Sequence, residues 1–132
     1  MAAAHNRLEQ AQKHHENGAA VVNPDSIRMS MHGQRYAALA EPFVWAIAKV
    51  MVRSLFLAGH DIVILDATNT TRKRRDEWLS SEWNRSFYCL DTTKEECLRR
   101  ANGDDEIIPV IERMAAEFES LGSDEMKCLP LG

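Results

Sequence analysis

The run Ile62-Val63-Ile64-Leu65 constrains the fold of this chain more than any other stretch of the sequence. It contains no polar residue, so it lacks the alternation expected of a strand with one wet face. Such a run is typical of a strand that is covered on both sides, as in a parallel sheet. A second apolar run ends at Asn23-Pro24, because proline has no amide donor and restricts the residue before it.

Strands and helices are predicted to alternate along the chain. The predicted strands are residues 19–23, 62–65 and 86–91, and the predicted helices are residues 3–16, 35–58, 71–83, 93–101 and 108–121. This order predicts an α/β fold with three layers, α/β/α, and a mostly parallel sheet joined by right-handed crossovers. The long second helix is apolar on most sides, so we expect it to be well buried, with Pro42 bending it or marking a new start.

The length of 132 residues predicts one domain, 1–132, with a core at about 18–121 and an irregular tail at 122–132. A hydrophobic content of 45% and a charged content of 27% are ordinary for a globular chain. The net charge of −4 means that contact with a nucleic acid needs a local basic patch, for which Arg72–Arg75 is the candidate.

The sequence favours a cytoplasmic protein with no membrane segment. Its three cysteines are odd in number and widely spaced, which suits reduced thiols better than a disulfide framework. The most apolar stretch, residues 43–57, is too short to cross a bilayer and carries Lys49 and Arg53. No signal peptide opens the sequence, and no set of side chains has the spacing of a metal site.

Polar side chains follow each predicted strand, where ligands bind in open α/β sheets. They are Asp25 and Arg28 after the first strand, Asp66, Thr68 and Asn69 after the second, and Asp91 at the end of the third. A carboxylate can take the proton of a substrate hydroxyl, and an arginine can grip a phosphate with two parallel hydrogen bonds. This pairing suits phosphoryl transfer to an alcohol. The segment at Asp25 has a second interpretation, a capped helix start with a local ion pair.

Four segments together resemble the P-loop kinase superfamily, specifically its polynucleotide kinase-like branch with zeta-toxin and AAA-type relatives. They are "VVNPDSIR" at 21–28, "HGQRY" at 32–36, "VILDATNTTRKRRDEW" at 63–78 and "EIIPVIERMAAEFE" at 106–119. The resemblance covers about residues 18–121. Each motif is weak alone, and their order and spacing carry the match.

The resemblance implies a role for each candidate residue. Asp25 corresponds to the general base that activates the acceptor hydroxyl, and Arg28 to the arginine that holds an acceptor phosphate. Asp66 corresponds to the acid near the metal and the nucleotide phosphates. Thr68 and Asn69 correspond to the adjoining substrate loop. ATP and Mg²⁺ are the implied cofactors, and a phosphorylated small molecule or a nucleic-acid end is the implied partner.

The chain departs from the resembling family at the ATP side. It contains no G-x-x-x-x-G-K-[ST] phosphate-binding loop, and residues 1–18 align instead with the helix that would follow that loop. The family's basic lid corresponds to the acidic loop at 102–106. Arg99 and Arg100 precede that loop and either substitute for the lid or balance Glu95 and Glu96. We therefore expect weak ATP binding or none.

The strand that leads into the missing loop is central in the resembling kinases. Its absence predicts that the neighbouring strands pair directly, that the tail near 126–129 inserts, or that a second molecule supplies a strand. Of these outcomes, self-association into a homo-oligomer is favoured.

The basic run Arg72–Arg75 has two interpretations, a solvated helix face and a phosphate-contacting patch that includes Arg72 as a substrate-binding residue. Two functions are consistent with the whole sequence. One is an ATP-dependent kinase-type phosphotransferase acting on a hydroxyl of a nucleotide or polynucleotide, impaired or incomplete as written. The other is a noncatalytic module that binds phosphate or nucleic acid.

Overall fold

The structure, a computed structural model, describes residues 18–33, 36–87 and 92–125. Two strands are present in these ranges, β1 (Ala20–Val22) and β2 (Val63–Leu65). The helices are α1 (Pro24–His32), α2 (Glu41–Leu57), α3 (Arg72–Asp76), α4 (Lys94–Arg100) and α5 (Ile108–Glu117), with a 3₁₀ turn at Ala38–Ala40. The described residues form two compact units, one that ends at Ala67 and one that begins at Thr68.

A small parallel sheet forms the centre of the first unit. The register pairs Val21 of β1 with Ile64 of β2, and α2 packs against both strands. Val22 is fully buried in β1, as are Val44 and Ala48 on the face of α2 that packs inward. The predicted α/β fold is confirmed, with more helix than strand and a parallel sheet.

The long helix differs from its prediction in its start and in its burial. Pro42 lies in the first turn of α2, so it marks a new start, as one of the two predicted alternatives required. The expectation that the helix is well buried is wrong. Phe43, Val50 and Leu57 keep 63%, 64% and 80% of their surface exposed. Only the opposite face of the helix, which carries Val44 and Ala48, is packed.

Two other helices are shorter than predicted, and hydrogen bonds at their ends explain why. α3 ends at Asp76, where the backbone tightens: the amide of Trp78 donates to Arg75 O at 3.2 Å, three residues back, and Arg85 Nη1 donates to the same carbonyl. α5 ends at Glu117, after which Phe118 is extended and the amide of Glu119 donates to Thr70 O at 2.8 Å.

The second unit contains two helices, α4 and α5, that pack on each other. Their shared core is Cys97, Ala101 and Ile111, with Leu98, Ile107 and Ile108 around it. Cys97 is a buried free thiol. The other two cysteines, Cys89 and Cys128, lie outside the described residues, and reduced thiols stay a prediction. The predicted helix 3–16, the greater part of the predicted strand 86–91 and the tail beyond residue 125 lie outside the described residues.

Candidate functional site

The two strands of the first unit end at one edge, and a pair of hydrogen bonds joins their ends. The amide of Asp66, directly after β2, donates to Val22 O at 2.9 Å. Asn23, directly after β1, donates from Nδ2 to the Asp66 carboxylate at 3.3 Å. Asp66 is only 7% exposed, so its carboxylate is largely withdrawn from solvent. This edge is where the sequence placed the site.

Asn23 also starts α1, which frees Asp25 from the capping role that the sequence suggested for it. The Asn23 side-chain oxygen accepts from the amides of Asp25 and Ser26 at 2.8 and 3.3 Å, while its backbone remains extended. Asp25 therefore lies inside the first turn of the helix, where a negative charge is favourable. Its side chain keeps 62% of its surface exposed.

Arg28 links this exposed carboxylate to a second one. Its Nη1 donates to Asp25 at 2.6 Å, while Nε and Nη2 form a two-pronged bond with Glu41 at 2.8 and 2.7 Å. Its side chain is only 12% exposed, and its guanidinium carbon lies 5.9 Å from the centre of the Trp45 ring. The hydrogen bonds to Glu41 raise the pKa of Arg28, against the opposing effect of burial.

The hydrogen bonds of Arg28 limit what it can do for a phosphate. A guanidinium has five N–H donors. Carboxylates take three of those of Arg28, so two have no partner among the described residues. One cation faces two carboxylates here, which favours a neutral hydroxyl over an anion next to Asp25. The arginine holds Asp25 in place and offers its remaining donors to a ligand.

Thr68 and Asn69 belong to the start of the second unit. Thr68 is exposed. Asn69 has a positive φ of 44°, a conformation that costs free energy in residues other than glycine. Its side-chain oxygen is buried and has no hydrogen-bond partner among the described residues. The backbone carbonyl of Asn69 accepts from Arg75 Nη1 at 3.0 Å, which fixes the loop.

The predicted substrate-binding Arg72 is bound to acidic side chains of its own unit. Its guanidinium donates to Asp76, to Asp124 and to Glu125. These hydrogen bonds, the one to Asp124 above all, raise the pKa of Arg72 well beyond its ordinary value. Arg72 is therefore engaged by acids, whereas Lys73 and Arg74 of the same run are exposed. A phosphate contact by this run stays a prediction.

The two arginines named as a substitute lid both bind Glu96. Arg99 donates to the Glu96 carboxylate at 2.8 and 2.6 Å, and Arg100 donates to it at 2.7 Å. The bonds from Arg99, followed by those from Arg100, lower the pKa of Glu96 to about 2. This is the charge-balancing arrangement that the sequence left open, with Glu96 rather than Glu95 as the partner. A lid role for these arginines stays a prediction.

The described residues do not by themselves fit a magnesium-bound nucleotide. No group of three acidic, histidine or cysteine side chains in these ranges is placed to hold a metal ion. Asp66 is a single, nearly buried carboxylate that already accepts a bond from Asn23. The sequence has no loop of amides with a lysine to cradle a triphosphate.

Among the described residues, no helix is long and apolar enough to cross a membrane.

Sequence reasoning missed two acids that fix the candidate arginines, Glu41 and Glu125. Glu41 lies 13 positions after Arg28, and Glu125 lies 50 positions after Arg75. Neither separation matches a helical or strand period, so no local pattern could have identified them. Asn23 both caps α1 and donates to Asp66. The sequence could have indicated the cap, because asparagine before Pro-Asp is a common helix start.

Comparison with known families places most of the sequence in one of them. Residues 9–104 match the AAA domain. The matched region includes β1, α1 and β2, and with them the strand edge that carries Asp25 and Asp66. A search of the curated proteins found no match. Since the family match covers well over half of the sequence and agrees with the parallel α/β architecture, the chain belongs to the AAA domain family, whose members are P-loop kinase-like.

Proposed function

We propose that the first unit carries the acceptor side of a phosphotransfer site, acting on a hydroxyl of a nucleotide or of a polynucleotide end. One observation carries this proposal: an exposed carboxylate, Asp25, is held by a nearly buried arginine at the carboxyl edge of a parallel sheet. Membership of a P-loop kinase-like family supports the same reaction class.

Asp25 is the proposed general base. Its exposed carboxylate can accept a hydrogen bond from the acceptor hydroxyl and take its proton as that oxygen becomes a nucleophile. Arg28 fixes the orientation of the carboxylate, because its other prong is tied to Glu41. A carboxylate held in this way loses little conformational freedom when a ligand binds, which favours a productive geometry.

Arg28 also supplies the proposed contact to the acceptor's phosphate. Its two remaining N–H donors can bind one phosphate oxygen each without breaking the bonds to Asp25 and Glu41. Asp66 keeps its proposed role at the end of β2. Thr68, Asn69 and Arg72 belong to the second unit, and substrate binding by them is what the resemblance implies. Those roles rest on the resemblance.

A noncatalytic binding module is the second candidate, because such a module needs no phosphate-binding loop. The chain has no phosphate-binding loop, and a single missing cation at a phosphoryl-transfer site costs about 10³-fold or more in rate. In this second function the same residues bind a nucleotide and no phosphoryl group moves. Incubation with labelled Mg-ATP and an acceptor separates the two, since only the enzyme transfers the label.

The binding prediction common to both functions concerns Asp25. We expect Asp25→Asn to weaken binding of a nucleoside 3′-monophosphate, which has a free 5′-hydroxyl, by about five- to tenfold, because a charge-assisted hydrogen bond becomes a neutral one. Isothermal titration of the full chain measures the effect. Asp61→Asn is the matched control, since Asp61 is exposed and precedes β2 at its opposite end. Equal affinity of the wild type and both variants would remove Asp25 from the site.

A further inference from the structure

Three arginines of the second unit converge on one carboxylate. Arg75 Nε donates to Glu125 at 2.7 Å, and Arg72 Nη1 donates to it at 3.0 Å. A third guanidinium, that of Arg85, lies 3.9 Å from the same carboxylate. The Arg75 side chain is 1% exposed and that of Glu125 is fully buried. One buried acid therefore lies within 4 Å of three guanidinium groups.

The surroundings of Glu125 have the composition of an oxyanion site. Besides the arginines, the backbone amide of Gly122 donates to the carboxylate at 3.0 Å, so both oxygens accept from N–H groups. The hydrogen bond from Arg75 lowers the pKa of Glu125, which is therefore ionised at neutral pH. Guanidinium forks combined with backbone amides are the groups with which proteins bind phosphate.

The rest of the cluster does not neutralise three arginines. Asp76 accepts from Arg72 and Arg85, and Asp124 accepts from Arg72. Without Glu125, three guanidinium groups face two carboxylates, both of which are more than a third exposed. The buried part of the cluster then has a positive charge and a space of carboxylate size.

Glu125 comes from a short turn that follows α5. Within this turn the Glu125 amide donates to Gly122 O at 2.9 Å. A side chain at position 122 would meet Arg72 Nη1 at 2.6 Å, so glycine lets the turn approach the arginines. A carboxylate on a short tether competes with free anions at an effective concentration of about millimolar.

We propose that Arg72, Arg75 and Arg85 form an oxyanion-binding site that the chain fills with its own Glu125, and that a phosphate group takes this position when Glu125 is withdrawn. The ligand is free phosphate or a phosphate monoester. All of its groups lie in the second unit, so the proposal does not rest on the function of Asp25.

Chemical rescue of Glu125→Ala tests this site in the full chain. The variant leaves the three arginines unneutralised, so its melting temperature falls by several degrees. Inorganic phosphate at about ten times its dissociation constant then raises that temperature by roughly 5 °C, since it binds only the folded state. The same phosphate concentration raises the melting temperature of the wild type far less, because Glu125 occupies the site. Sodium chloride at the same ionic strength does not substitute for phosphate.

Three further measurements keep the test decisive. Glu112→Ala, at an exposed position of α5, is the matched control and should respond to phosphate as the wild type does. If Glu125→Ala does not fold, Glu125→Gln keeps the volume and should still bind phosphate more tightly than the wild type. Adding Arg72→Gln to Glu125→Ala should reduce the rescue, which locates the anion at the arginines.

A nucleoside 5′-monophosphate, compared with inorganic phosphate, distinguishes a monoester ligand from a free ion. Tighter binding of the nucleotide to Glu125→Ala identifies a monoester site, and equal binding identifies a site for free phosphate. An equal phosphate response of Glu125→Ala, Glu112→Ala and the wild type would overturn the proposal and leave Glu125 with a structural role only.

Discussion

Replacing Val44 with aspartate is expected to unfold the chain, whereas the same change at Val50 on the same helix is expected to leave it folded. Val44 has no exposed surface, and Val50 keeps 64% of its surface exposed. An unpaired charge at the buried position costs several kcal/mol, against a total stability of about 5–15 kcal/mol for a typical domain. Circular dichroism during heating and urea titration measure both variants.

The pair of substitutions tests which face of α2 carries the core. Both introduce the same side chain into the same helix, so helix propensity cannot account for a difference between them. Loss of folding in Val50→Asp would show that the exposed stripe of Phe43, Val50 and Leu57 is covered in the protein. A folded Val44→Asp would contradict the packing of α2 on the sheet.

Replacing Arg75 with methionine is expected to destabilise the protein by about 3–5 kcal/mol. The change leaves the Glu125 carboxylate buried without its main partner, and removing one member of a buried ion pair typically has this cost. Arg74→Met is the matched control, because Arg74 is 52% exposed and its nearest acid is 4.0 Å away. Its expected effect is below about 0.5 kcal/mol. Urea unfolding monitored by tryptophan fluorescence measures both.

A double variant separates the charge from the packing. Arg75→Met combined with Glu125→Leu removes both charges and fills the space with apolar groups, which is often neutral or stabilising relative to the ion pair. We expect most of the stability lost in Arg75→Met to return. A double variant that is as unstable as the single one would show that the other hydrogen bonds of Arg75, to the carbonyls of Asn69, Thr70 and Ser120, carry the stability instead.

The parts of the fold that depend on neighbouring residues could be predicted from the sequence. The run at 62–65 contains β2, which has a parallel partner as expected. The expected cover on both faces is wrong, because Val63–Leu65 are only half-buried and Ile62 keeps 62% of its surface exposed. The first strand ends before Asn23-Pro24, as the proline requires. The position of Asp66 at the strand edge followed from the same argument, since parallel strands end on one side.

The parts that depend on distant residues could not be predicted. The end of α3 is bound by Arg85, which donates to a carbonyl of its last turn, and nothing within residues 71–83 encodes this bond. The burial of α2 was overestimated because apolar content does not show how many sides have a packing partner. The partners of Arg28 and Arg75 are acids 13 and 50 positions along the chain. The sequence therefore did not show that Glu41 takes part of the donors of Arg28 or that Glu125 binds Arg75.

The position of a bound acceptor tests the proposed function most directly. A crystal structure of the full chain with a nucleoside 3′-monophosphate is expected to place the 5′-hydroxyl oxygen within about 2.6–3.2 Å of the Asp25 carboxylate, the reach of a general base. Its phosphate is expected at the remaining donors of Arg28. A nucleotide bound elsewhere, with Asp25 facing solvent and Arg28 contacting only Asp25 and Glu41, would contradict the proposed function.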